Sequence, residues 1–194
     1  MDASTRAGTN SSYVSRRAPR FEEPVREETG SGVVHMISEQ VSLNQQVEMA
    51  KNEAVTKADF NTFDAFRIFD IDNLGTVTAL DMKHGLQDIG VHVTHEDVIL
   101  FFERHDKDRD GRLDYREFAE ALTPEDPYYA TMLGRRPGSH QRINVYRKDD
   151  VFGYPTSQAF KSLLRTMIST EGASEATRQN LQRNPFFDTN EAFR

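Results

Sequence analysis

The 194-residue chain contains no cysteine and no tryptophan. Without cysteine there is no disulfide framework, no thiolate metal site and no cysteine nucleophile. No apolar run approaches the roughly 20 residues that a membrane-crossing helix needs. The opening MDASTRAGTN lacks the apolar segment of a signal peptide, and Met1 is followed by aspartate. Neither secretion nor N-myristoylation is therefore expected, and a cytoplasmic location is. A glycine-rich phosphate loop, a nucleophile elbow and zinc-type histidine spacing are missing too. His92 and His95 are close together with no further ligand nearby. An enzyme is not expected. The net charge is −7, with fifteen acids against seven bases between Asp59 and Glu120. The flanks are near neutral. That balance argues against nucleic acid as a partner and suits a cation-binding centre between two arms.

What is present is the stretch Asp106–Glu117, DKDRDGRLDYRE. Asp106, Asp108 and Asp110 alternate, Gly111 is sixth, Asp114 ninth and Glu117 twelfth. A hard dication such as calcium takes six to eight oxygens at roughly 2.3–2.6 Å, and this spacing supplies them in one tight loop. Gly111 takes the backbone turn that a side chain resists. Arg112, seventh, contributes only its backbone carbonyl. Asp114 acts through a water, and Glu117 is long enough to bind with both oxygens. Leu113 points into the core. Before the loop, Val98, Phe101, Phe102 and His105 form one helical face, opened by a Thr94–Asp97 capping box. After it, Phe118, Ala121 and Leu122 continue an apolar stripe until Pro124.

With both helices in place, residues 60–123 resemble a paired EF-hand lobe of the calmodulin superfamily. The resemblance implies a mainly α fold of four helices with a short two-strand bridge, Val77 facing Leu113. It places a partner loop at Asp70–Asp81, with Asp70, Asp72, Thr76 and Asp81 at ligand positions. That loop departs from the pattern. Leu74 at the fifth place offers no side-chain oxygen, and Asp81 is one methylene shorter than the usual glutamate. Fewer oxygens and less charge weaken a calcium site. The first loop is expected to be empty or to hold magnesium, and to serve as a structural partner of the second.

Around a lobe at 56–123, four further regions are expected. Residues 1–32 are polar and read as an extended or disordered arm. Residues 33–55 read as an amphipathic helix, with Met36, Leu43, Val47, Ala50 and Ala54 on a seam that Val33, Ile37 and Val41 broaden. It packs on its own lobe or docks to another protein; the pattern does not decide. Thr56 and Asp59 suggest a fresh cap before the next helix. Residues 124–155 read as an irregular linker, Asp126–Pro127 opening a loop. Residues 156–194 read as a helical tail. Its first helix, Thr156–Thr170, carries Phe160, Leu163, Leu164, Met167 and Ile168 at three-four spacing. It is expected to fill the groove of its own lobe; docking elsewhere is the alternative. A second, short helix is expected at Ser174–Arg183, with Phe186, Phe187 and Phe193 anchoring beyond it.

Two functional classes follow: a structural or adaptor subunit of a larger assembly, and a free calcium sensor that binds target helices. The long segments outside the lobe favour the first. DPYYATMLGRRPGSH, SQAFKSLLRTMIST and TRQNLQRNPFF are also similar to tails of small EF-hand proteins of motile cilia. That resemblance implies a place on the doublet microtubule of the axoneme, with tubulin and axonemal proteins as partners. Arg135, Arg136, Arg142, Arg147 and Lys148 would then face tubulin's acidic surface.

Overall fold

The computed structural model describes residues 25–139 and 148–183. Among them are seven α-helices: α1 Val25–Thr56, α2 Thr62–Arg67, α3 Ala79–Asp88, α4 His95–His105, α5 Tyr115–Leu122, α6 Pro127–Gly134 and α7 Tyr154–Gln182. A 3-10 turn, Lys148–Val151, precedes α7. Strands β1 (Thr76–Thr78) and β2 (Arg112–Asp114) pair antiparallel, with Val77 opposite Leu113 as expected. Both are buried, so the bridge ties the two loops together from the core side. No described helix is long and apolar enough to cross a membrane.

The lobe's helices begin on side-chain caps. Thr94 and Asp97 form the expected capping box on α4, Thr78 and Asp81 form one on α3, and Asp114 and Glu117 form one on α5. Each box satisfies two N–H groups that a helix start leaves without partners. On α2, however, the cap is Asn61, whose side chain accepts from the Asp64 N–H. Thr56 ends α1 instead, and Asp59 serves a different helix. The aromatic rings then form one chain through the core. Phe66 and Phe69 meet Phe118 at 5.5 and 5.8 Å between centroids, and Phe69 meets Phe160 of α7 at 6.5 Å. Phe160 also meets Phe60 and Phe152.

The segments outside the lobe differ from the sequence reading in four places. First, α1 opens at Val25, eight residues before the expected Val33. Second, Ile37 and Val41 do not broaden the α1 seam; they are 51% and 49% exposed, while Ala54 and Val55 are fully buried. Third, Asp126–Pro127 opens α6, not a loop: Asp126 accepts from the Tyr128 N–H and Pro127 occupies the first turn. Proline costs nothing there, because its missing N–H would have had no helical partner. Fourth, α7 is continuous to Gln182, with no break before Ser174. At Gly172 the helix passes close to α4, where an added Cβ would lie 3.1 Å from Asp97 Oδ1. The glycine marks a close approach, not a helix end. Residues 1–24, 140–147 and 184–194, with Arg142, Arg147, Phe186, Phe187 and Phe193, lie outside the described residues.

α7 settles where the tail helix packs. Phe160, Leu163, Leu164, Met167 and Ile168 are all buried in the same core cluster as the lobe's phenylalanines. The helix therefore lies in its own lobe. Beyond Thr170 it runs against α1 through polar contacts, Ser174 to Gln40 and Thr177 to Glu39 at 2.9 Å.

Candidate metal centre

The second loop begins where α4 ends, so Asp106 is both the helix cap and the first ligand position. Its two carboxylate oxygens draw the loop inward: Oδ1 accepts from the Arg109 N–H at 2.7 Å and Oδ2 from the Gly111 N–H at 2.8 Å. The turn that permits this places Gly111 at φ +80° and Arg109 at +61°, the left-handed region that glycine enters without a Cβ penalty. Asp110 Oδ1 accepts from the Arg112 N–H at 2.7 Å. From the far side of the loop, Glu117 returns. Its Oε1 accepts from the Lys107 N–H at 2.9 Å and its Oε2 from the Asp114 N–H at 3.1 Å. Glu117 is only 3% exposed, so its position is set by packing.

The result is convergence of Asp106, Asp108 and Glu117, each offering a carboxylate oxygen within 4.8 Å of the others. Two metal–oxygen bonds of about 2.4 Å end to end span about that distance, so one calcium ion can touch all three. The electrostatics agree with such a fit. The Asp110 N–H steadies the Asp108 carboxylate, but slight desolvation and the facing charges of Asp110 and Glu117 outweigh it and push Asp108 above the usual carboxylate range. A cation relieves that repulsion. No competing positive charge comes from His105: burial, aided by Arg104, lowers it to about 4, which leaves it neutral at its place 4.5 Å from the Phe101 ring. Asp110 and Asp114 lie outside the converging group. Asp114 Oδ1 accepts from the Glu117 N–H at 2.7 Å and caps α5. Through Arg112 passes the bridge to the first loop, its guanidinium donating to Thr76 Oγ1 at 3.3 Å.

The first loop takes the same shape by other means. Asp70 accepts from the Leu74 and Gly75 N–H groups at 2.8 and 2.9 Å. Asp81 Oδ2 accepts from the Thr78 hydroxyl at 2.6 Å and the Thr78 N–H at 3.0 Å. The Thr78 hydroxyl is the main reason the Asp81 carboxyl sits below its ordinary range. Leu74 is 69% exposed. Among the described residues, Asp70, Asp72 and Asp81 do not form a converging set of the kind seen in the second loop.

Four polar contacts that tie the segments around the lobe together have no local sequence signal. Asp59 caps α7 from outside, accepting from the Gly153 N–H at 2.7 Å and from the Thr156 hydroxyl. Arg136 donates to the carbonyls of Val55, Lys57 and Phe60 at 2.7, 2.6 and 2.9 Å, closing the end of α1. Lys148, 3% exposed, donates to Asp88 at 2.7 Å. Arg104, two residues before Asp106, pairs with Glu171 of α7 at 3.3 Å. Arg136 and Lys148 were expected to face an acidic partner; both are committed within the chain.

Comparison with known proteins agrees with this geometry. The family model for an EF-hand domain pair matches residues 60–123. Calmodulin-like protein 9 of Arabidopsis thaliana is 31% identical over 74 residues, 38% of this chain and 49% of the relative. Probable calcium-binding protein CML17 of the same plant is 37% identical over 57 residues, 29% of this chain and 34% of the relative. Calcium-dependent protein kinase 34, also from Arabidopsis thaliana, is 28% identical over 107 residues, 55% of this chain but 19% of the kinase. The chain thus spans about half or less of the length of these relatives. No solved structure matches it. With the family match, a bridged pair of loops and one converging acidic set, residues 60–123 of this chain are an EF-hand domain pair of the calmodulin superfamily.

Proposed function

We propose that the protein holds one calcium ion in its second hand and acts without catalysis as a structural or adaptor subunit of a larger protein assembly. Asp106, Asp108 and Glu117 supply side-chain oxygens, the Arg112 carbonyl adds another, and Asp110 and Asp114 complete the set directly or through water. Bound there, the ion neutralises the loop's carboxylates and ties the end of α4 to the start of α5. The first hand stays in shape through its own N–H groups and the β1–β2 bridge.

The observation that carries the structural reading is the burial of Phe160, Leu163, Leu164, Met167 and Ile168 in the lobe core. An open EF-hand lobe offers an apolar groove to a partner's helix. Here the chain's own α7 takes that place. The sensor reading draws on the names of the calmodulin-like relatives, and it requires α7 to leave. Amide hydrogen exchange across residues 160–168 separates the two. The structural reading expects slow exchange without calcium, and exchange no faster when calcium is added. Faster exchange in α7 on adding calcium would favour the sensor. Partners are expected to be proteins. A microtubule partner loses two of its five proposed contacts, since Arg136 and Lys148 are already engaged.

A further inference from the structure

α7 touches the calcium-binding hand as well as the core. It runs along α4, the helix that delivers Asp106. Two neighbouring residues of α7 make the contact: Gly172 approaches Asp97 in the first turn of α4, and Glu171 pairs with Arg104 in its last turn, Nε to Oε1, at 3.3 Å, with Glu171 the more buried partner. Its apolar face reaches the floor shared by both hands, since Phe160 meets Phe69 and Phe69 meets Phe118 of the helix after the second loop. Two independent sets of contacts therefore join one helix to the elements on either side of the calcium loop.

We infer that α7 is a resident ligand of the lobe that sets the affinity of the calcium site, with Glu171 acting through Arg104 as a positioning residue for α4. The inference rests on the reading that calcium occupies the second hand. Its physical basis is linkage. Calcium binding to an EF-hand pair favours the arrangement in which apolar surface between the helices is uncovered, and uncovering it opposes binding. A helix that already covers that surface removes the opposition. Any free energy that α7 gains from the calcium-loaded lobe returns as tighter calcium binding, by reciprocity. Because α7 is part of the chain, the enhancement is permanent and independent of partner concentration.

The test is calcium titration by calorimetry on the full chain, paired with hydrogen exchange. Phe160→Ala removes the aromatic contact, and couplings of this kind are typically about 5- to 150-fold, so calcium should bind at least about fivefold more weakly. Phe160→Leu serves the same purpose should the alanine variant fail to fold. Glu171→Gln should weaken binding about threefold, while in an Arg104→Gln background the same change should have no effect. A simple field effect of the Glu171 charge would persist in that background and overturn the positioning role. Reciprocity adds a second readout: calcium should slow α7 exchange in the wild-type chain, and the factor should shrink in Phe160→Ala. Affinity within twofold of wild type, in a variant whose α7 exchange has become fast, overturns the inference while leaving the calcium site intact. Absence of calcium binding to the wild-type chain overturns both.

Discussion

Replacing Arg136 with alanine should destabilise the fold by about 3–4 kcal/mol while leaving the calcium loop untouched. One guanidinium donates to three carbonyls, those of Val55, Lys57 and Phe60, at 2.6–2.9 Å. They lie at the end of α1 and in the turn after it, where a helix leaves carbonyls unpaired; the Lys57 carbonyl also accepts from the Phe60 N–H at 3.2 Å. A hydrogen bond from a charged donor contributes about 1.5–3 kcal/mol, and a buried acceptor left unmade costs about 1–3 kcal/mol. Fixing the long side chain opposes this by up to about 2 kcal/mol. Because Arg136 is only half-buried and the Lys57 carbonyl is shared, the low end applies: three bonds at about 1.7–2 kcal/mol each, less about 2 kcal/mol of ordering cost, leave a net of about 3–4 kcal/mol. For a chain of this length each kcal/mol lowers Tm by roughly 2–4 °C, so the midpoint should fall by about 6–16 °C. Arg136→Lys should recover only part of the loss, because one ammonium cannot reach three carbonyls in a fixed fork. Urea titration followed by circular dichroism measures the change. A loss below about 1 kcal/mol in the alanine variant would refute the claim that Arg136 is a helix-closing residue, and would return it to the surface.

Asp59→Asn should cost about 1 kcal/mol, the usual value of a helix cap, and should also flatten the acid limb of the stability curve. Burial opposes the Asp59 charge, but the Thr156 hydroxyl and Gly153 N–H outweigh it and lower its pKa. A lowered carboxylate pKa stabilises the fold above the ordinary value near 4 and is lost as pH falls through the folded value. Urea midpoints between about pH 5 and 3 should thus drop more steeply in the wild type than in the asparagine variant. Gly85→Ala should destabilise despite alanine's better helix propensity, because the new Cβ would lie 2.5 Å from Phe69 Cδ1; overpacking of this kind costs about 1–3 kcal/mol, and thermal melts read it. A stabilised Gly85→Ala would mean that Phe69 moves freely, contrary to its place between Phe118 and Phe160.

The parts of this molecule that could be read from sequence are those whose chemistry is local. The second loop's ligand positions are contiguous, and the α4 cap lies three residues from its partner. The apolar face of α7 repeats at helical spacing, so its residues were identifiable, and its place in its own lobe followed from the groove an EF-hand pair presents. What could not be read was long-range polar contact. Arg136 lies 76–81 residues from its carbonyls and Asp59 lies 94 from Gly153. An arginine beside proline and glycine has the composition of a solvated turn, and only the fold shows that it closes a helix. The unbroken course of α7 through Gly172 was hidden for a related reason. Glycine ends helices and also admits close neighbours, and sequence does not say which. The same limit applied to Asp126–Pro127, a dipeptide that opens loops and helices alike.

The most direct measurement is calorimetric titration of calcium into the full chain and into its Glu117→Gln variant. One site in the wild type and none in the variant is the result predicted from the convergence of Asp106, Asp108 and Glu117. Two sites in the wild type, or calcium binding that survives in Glu117→Gln, would contradict the assignment of calcium to the second hand alone.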